Sequence, residues 1–161
     1  MPLWRKTKGL AMCTALNVAK YIQLYCQQKN ISDCSNKKLQ KLLYYVQAWS
    51  CALRHNRPIF DENIEAWLHG PVVPSIYHKY KEYGFSPIPF DRHGLNMECI
   101  EPHQGLIDAV LDIYAVYDAD YLEMRTHMEA PWIEARQKDD KVITHKMMGD
   151  YYRSLNAQAQ S

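Results

Sequence analysis

One segment constrains the fold more than any other: between Ser35 and Leu53, apolar residues recur every three or four positions. This spacing places them on one face of an α-helix, and a stripe of that length needs other elements to cover it. Ser35 can accept a hydrogen bond from a first-turn N–H group and is the predicted N-cap. We expect a core helix whose stripe is Leu39, Leu42, Leu43, Val46, Trp49 and Leu53, widened by Tyr44 and Tyr45, while Lys37, Lys38, Gln40, Lys41 and Gln47 lie elsewhere on the helical wheel.

Further helices are predicted on both sides of this segment. Thr14 is the expected N-cap of a first helix that ends near Lys29. Pro74 suits the first turn of another helix, and Gly84 suits the position after its end. Apolar periodicity predicts a helix at residues 106–117. Three more helices are expected to begin at Asp120, at Pro131 and after the cap Thr144.

The remaining segments are predicted to be extended or irregular. Pro58 ends the core helix, and brief alternation follows it. Residues 70–74 read as a rigid turn, because Gly70 can adopt a positive φ and the two prolines fix theirs. Residues 85–104 show no periodicity and are expected to form a long loop. The predicted fold is mainly α: a single compact helical domain of about six to seven helices, with a small extended or β element near residues 58–72.

Composition narrows the classes of function. The 161 residues carry 19 Lys plus Arg against 18 Asp plus Glu, and this balance disfavours a dedicated nucleic-acid binder. No apolar run approaches the roughly 20 residues that a membrane span needs. The five cysteines are an odd number without C-x-x-C spacing, so we expect free thiols in a reducing compartment. The expected location is the cytoplasm.

The N-terminal residues are read as an extension of the domain. Arg5, Lys6 and Lys8 precede a short apolar run that ends at Cys13, and this run is too short for the core of a signal peptide. We expect a basic extension at residues 1–13, with Met12 as an alternative start. The domain is expected at residues 14–155 and a frayed tail at 156–161.

Catalytic motifs are absent from the sequence. It contains no H-E-x-x-H, no glycine-rich phosphate loop and no G-x-S-x-G. None of the seven histidines pairs with another at i, i+4. We therefore expect neither an enzyme nor a bound cofactor or metal. The 12 tyrosines against three phenylalanines favour a protein-binding surface, because tyrosine combines a large ring with a polar hydroxyl.

Several blocks occur in a characteristic order: L-Q-K-L-L-Y-Y at residues 39–45, A-W at 66–67 and G-P-V-V-P at 70–74. This order resembles the Panacea domain, also described as SocA-like and phage-associated, and the resemblance covers roughly residues 14–152. The motif positions, which we expect to be mostly structural, are Leu39, Gln40, Lys41, Leu42, Tyr44, Tyr45, Trp49, Ala66, Trp67, Gly70, Pro71, Val72, Pro74, Tyr77, Thr126, His127, Pro131 and Trp132.

The resemblance implies an antitoxin that suppresses a cognate toxin by direct contact, with the toxin encoded by a neighbouring gene. Its toxin-contacting surface is expected in the 85–104 loop, at Phe85, Ile88, Phe90, Arg92 and His93. The main alternative is a phage or mobile-element adaptor that redirects a host protein, for example to proteolysis. A DNA-binding regulator, or an enzyme with a pocket around His127, are further hypotheses.

Overall fold

The structure is a computed structural model that describes residues 12–160. The helices are α1 (Ala15–Gln28), α2 (Asn36–Leu53), α3 (Pro74–Tyr80), α4 (Met97–Ile100), α5 (Gln104–Tyr114), α6 (Ala119–His127), α7 (Ala130–Arg136) and α8 (His145–Gln160). Within the described residues, seven helices have at least seven residues and α4 is a single turn, which confirms the predicted mainly helical class. Of the predicted basic extension, all but Met12 and Cys13 lies outside the described residues.

Helix ends follow the predicted capping signals in most cases. The Thr14 hydroxyl accepts a hydrogen bond from the Asn17 N–H at 3.1 Å, and the Ser35 hydroxyl accepts one from the Lys38 N–H at 3.3 Å. Helix α6 differs, because Asp118 and not Asp120 provides its cap. Helix α8 continues to Gln160, through residues that we expected to fray; alanine and glutamine are good helix formers there.

Three short strands form an antiparallel sheet in the order β2-β1-β3, with β1 (Ile64–Trp67), β2 (Gly70–Val72) and β3 (Val142–Ile143). This confirms the extended element near residues 58–72. The predicted rigid turn at residues 70–74 is wrong, since residues 70–72 are a strand and the chain reverses at residues 68–69. Trp67 pairs with Gly70 and closes the hairpin. Gly70 has a φ of +110°, which residues with a side chain rarely adopt. A glycine is therefore favoured at this position, where β2 begins after the reversal.

The segment from residue 85 to 104 is only partly a loop. Its second half contains helix α4 and a 3₁₀ turn at Glu101–His103. The Asn96 side chain caps α4. The backbone N–H of Asn96 donates to Oδ1 of Asn17 at 2.7 Å, and Nδ2 of Asn17 donates to the Asn96 carbonyl at 2.8 Å. A four-residue helix is too short to produce apolar periodicity, which explains why the sequence pattern predicts a loop here.

Helix α2 is buried on nearly every side, whereas its amphipathic pattern predicts a single apolar face. Gln47 is fully buried: its Oε1 accepts hydrogen bonds from the N–H groups of Ile59 (2.8 Å) and Phe60 (3.4 Å), and its Nε2 donates to the Phe60 carbonyl at 2.7 Å. Lys38 is also buried and donates to the Asp33 carboxylate and the Ala115 carbonyl, at 2.6 and 2.7 Å. The polar side chains of α2 therefore bind the elements packed around it.

The expectation of five free thiols is wrong for two of them. Cys13 and Cys99 form a disulfide, with Cα atoms 5.6 Å apart, because the residues just before α1 lie beside helix α4. A sequence separation of 86 residues gives no pairing signal in the sequence. Cys26, Cys34 and Cys51 are free and buried. Among the described residues, the helices are all too short or too polar to cross a membrane.

We predict that Gln47→Ala destabilises the protein by about 3 kcal/mol, because it leaves buried backbone groups of residues 59 and 60 without partners. Urea unfolding followed by circular dichroism measures this change. Gln27→Ala, at an exposed position of α1, is the matched control and should change the free energy of unfolding by less than about 0.5 kcal/mol. Equal effects of the two substitutions would contradict the role assigned to Gln47.

Candidate functional site

A cleft of about 510 Å³ lies between helix α2, the β1–β2 hairpin and helix α3. Its walls are largely aromatic and aliphatic, and its volume lies within the range of ligand-binding cavities. The apolar residues that line it are Trp67, Leu68, Val72, Tyr77 and Phe85, and the polar ones are Asn36, Lys37, Gln40, Lys41, His69 and Lys81. Most of the residues that line the cleft belong to the motif blocks or lie beside them.

Lys41 forms the floor of the cleft. Its side chain is 1% exposed, and its Nζ donates a hydrogen bond to the Pro71 carbonyl at 3.3 Å. The pKa of Lys41 is lowered to about 7, mainly because the buried ammonium loses its hydration and also because Lys37 is nearby. A Cβ on Gly70 would lie 2.4 Å from Cε of Lys41 and 3.1 Å from the Thr126 hydroxyl. Three separate motif blocks therefore meet at this point.

Gln40 fixes the junction between α2 and α3. Its Oε1 accepts a hydrogen bond from the Val73 N–H at 2.8 Å, and its Nε2 donates to the Asn36 side chain at 2.9 Å. Asn36 in turn donates to the Tyr77 carbonyl at 3.0 Å. These bonds hold the first turn of α3 against the first turn of α2, and they set the position of the Tyr77 ring in the cleft wall.

Trp67 continues the cleft wall that Tyr77 forms, and downstream residues contact its backbone. Its ring centroid lies 5.1 Å from that of Tyr77, in an edge-to-face arrangement. The Trp132 indole N–H donates to the Trp67 carbonyl at 2.9 Å, and the His127 ring stacks on Trp132 at 4.0 Å. The downstream motif residues therefore brace the hairpin and do not line the cleft.

The rim of the cleft is open to solvent. Phe85 is 92% exposed and Leu68 is 66% exposed, and Lys81 is also exposed. Lys37, at the other side of the rim, pairs with the carboxylates of Asp120 and Glu123 at 2.8 and 2.5 Å. The arrangement can bind an apolar group against aromatic walls, next to positively charged side chains.

The tyrosine pair of the motif belongs to a separate buried cluster. The hydroxyls of Tyr45 and Tyr152 donate to the two carboxylate oxygens of Glu129, at 3.0 and 2.8 Å. Tyr45 stacks on Tyr114, whose hydroxyl accepts a hydrogen bond from the Trp49 indole at 3.0 Å. Glu129 is 3% exposed, and its burial raises the pKa of the carboxyl above the ordinary value of 4.5. This cluster stabilises the contact between α2 and α8.

The structure separates the residues that we predicted to contact a partner. Phe85 lies at the cleft rim, whereas Ile88 is buried and Phe90 is half-buried; both line a second cavity of about 450 Å³. Arg92 and His93 are exposed and lie in neither cavity. Among the motif residues, Leu39, Leu42, Tyr44 and Ala66 are buried in the core.

Sequence reasoning missed several residues of the cleft and of the buried cluster. Leu68, His69 and Lys81 flank motif blocks without belonging to them, and Glu129 lies between two blocks. No periodicity marks these positions; an isolated acidic residue just before Ala130-Pro131-Trp132 is the only sequence signal for Glu129. Within residues 12–160, no group of three or more His, Cys, Asp or Glu side chains could hold a metal ion.

Comparison with known protein families gives a match. The model of the family described as "Antitoxin SocA-like, Panacea domain" matches residues 39–133, which is more than half of the 161-residue chain. The matched region runs from the first turn of α2 into α7 and includes every residue that lines the cleft except Asn36 and Lys37. No curated protein and no solved structure matches the chain.

We predict that Gly70→Ala destabilises the protein by at least about 2 kcal/mol, because a side chain at this positive φ is strained and its Cβ meets the Lys41 side chain. Gly105→Ala is the matched control: no atom lies within 4 Å of the added Cβ, and the site is in helix α5. The control should be neutral or stabilising by up to about 1 kcal/mol. Urea unfolding of both variants decides between these outcomes.

We predict that Glu129→Gln removes a pH-dependent loss of stability. Since the folded-state pKa of Glu129 is raised, folding favours its protonated form, and the wild-type protein loses this contribution as pH rises above about 4.5. The variant should therefore gain in stability relative to wild type between about pH 4 and pH 8. Urea unfolding across this range is the measurement, and exposed Glu134→Gln is the control. A constant difference from wild type would contradict the prediction.

Proposed function

Because the chain belongs to the family of SocA-like antitoxins that share the Panacea domain, we propose that it binds a cognate toxin protein and neutralises it by direct contact. The observation that carries this proposal is the family match over residues 39–133. That match includes most of the central helix α2, the β1–β2 hairpin and helix α3. The proposed partner is a toxin encoded by a neighbouring gene.

Exposed apolar side chains support a protein partner. Leu68, Phe85, Met124 and Met128 are large and exposed, although such side chains are usually buried. Exposed apolar and aromatic groups are typical of the centres of protein–protein interfaces, where they become buried on binding. Direct contact between two proteins is therefore the mechanism that fits these surfaces.

We predict that co-expression of this chain restores growth to cells that express the neighbouring gene product. The two purified proteins should also elute as one complex in size-exclusion chromatography with light scattering. A version of the gene with an early stop codon is the control for growth, since it keeps the transcript and removes the protein. Failure of the intact chain to restore growth, or to bind the purified toxin, would contradict the proposal.

The lifetime of the toxin separates direct neutralisation from the adaptor alternative. If contact alone neutralises the toxin, its half-life after translation is blocked should be the same with and without this chain. A toxin half-life that becomes several-fold shorter only when the chain is present would instead indicate delivery to a protease.

A further inference from the structure

The cleft exposes apolar surface that the fold itself does not need. Phe85, at its rim, makes little contact with the rest of the protein, since 92% of its surface is exposed. Leu68, on the other side, is 66% exposed. Exposed apolar area is unfavourable in water, so its burial against a ligand is favourable. Two large apolar residues at the mouth of one cleft therefore point to a ligand that covers them.

The charges of the cleft define the chemistry of that ligand. Three lysines, Lys37, Lys41 and Lys81, line it together with His69, and none of the described residues that line it is acidic. Lys81 makes no ion pair within the described residues, and Lys41 bonds a backbone carbonyl. A negatively charged group would complement this lining.

From this combination, and on the basis of the proposed function, we infer that the cleft is the docking site for the toxin, which inserts a short segment carrying a large apolar side chain beside a carboxylate. The apolar side chain packs against the adjoining rings of Trp67 and Tyr77 and against Phe85. The carboxylate pairs with Lys81 at the rim and lies above Lys41. Binding of this kind buries the exposed apolar surface and gives Lys81 a negatively charged partner at the same time.

Two observations favour one carboxylate on an apolar segment over a nucleic acid. Lys37 is already neutralised by Asp120 and Glu123, whose carboxylates would repel a run of phosphates at that edge. Lys41 lies at the floor of a mainly apolar cleft and is only 1% exposed, so an extended phosphate backbone cannot contact it. The pKa of Lys41 is lowered to about 7, mainly by burial, and a carboxylate bound above it would favour the charged form of the amine.

Charge-reversal variants at the rim test the docking site. We expect Lys81→Glu and Phe85→Asp each to weaken binding of the purified toxin by about tenfold or more, measured by isothermal titration calorimetry. Lys79→Glu and Val116→Asp are the matched controls: both residues are exposed and lie outside the cleft, and binding should stay within about twofold of wild type. Thermal unfolding of all four variants should match wild type, because these side chains are exposed.

A charge swap identifies the inserted segment. Overlapping toxin peptides of about 12 residues, tested against the wild-type chain, should bind where an acidic residue adjoins a large apolar one. Changing that acidic residue to lysine in the intact toxin should abolish binding to wild type and restore it to Lys81→Glu. Restoration supports the inferred contact, whereas equal loss with both partners overturns it.

The outcomes distinguish this inference from the proposed function. If the wild-type chain neither binds the toxin nor restores growth, the proposed function fails and the docking site fails with it. If the wild-type chain binds and both rim variants bind equally well, the cleft assignment alone is overturned. Binding of a single-stranded oligonucleotide probe that is lost in the same two variants would assign the cleft to nucleic acid and also overturn the inference.

Discussion

The fold depends on hydrogen bonds between the buried polar side chains of α2 and the elements around it. Gln47 holds the strand-like segment at residues 59–60, Gln40 holds the start of α3, and Lys38 holds the end of α5. Each bond satisfies polar groups that would be costly to bury without a partner. Each neighbouring element can therefore pack against α2 in only one position that keeps these bonds. Apolar packing makes the domain stable, and these bonds determine where its parts lie.

Much of this architecture could be predicted from local signals. The caps Thr14 and Ser35 and the first-turn Pro74 lie where the chain itself decides the structure, and their roles are confirmed. The burial of Lys38 and Gln47 could not be predicted, because the partners of these side chains are brought near by tertiary packing. The Cys13–Cys99 pair and the Asn17–Asn96 bonds are long-range contacts for the same reason.

The candidate site was likewise predictable only in part: its motif residues could be identified from the sequence, but their arrangement could not. The resemblance identified Lys41, Trp67, Gly70 and Tyr77 as motif residues, yet their sequence positions gave no indication that they enclose a cleft. Phe85 was predicted to contact a partner and lies at the rim, whereas Ile88 was assigned the same role and is buried. A loop without periodicity does not reveal which of its side chains face inwards, because turns and not a regular repeat set their directions.

The residues at the floor of the cleft are packed tightly into the fold, whereas the residues at its rim make few contacts with the rest of the protein. Lys41, Gly70 and Thr126 interlock at the floor, so substitutions there change the stability of the domain. Phe85, Leu68 and Lys81 at the rim are exposed, and exposed positions tolerate most substitutions within about 0.5 kcal/mol. Mutations can therefore change the residues of the rim while the scaffold stays the same. A scaffold of this kind can acquire new binding partners by mutation without first needing a reserve of stability.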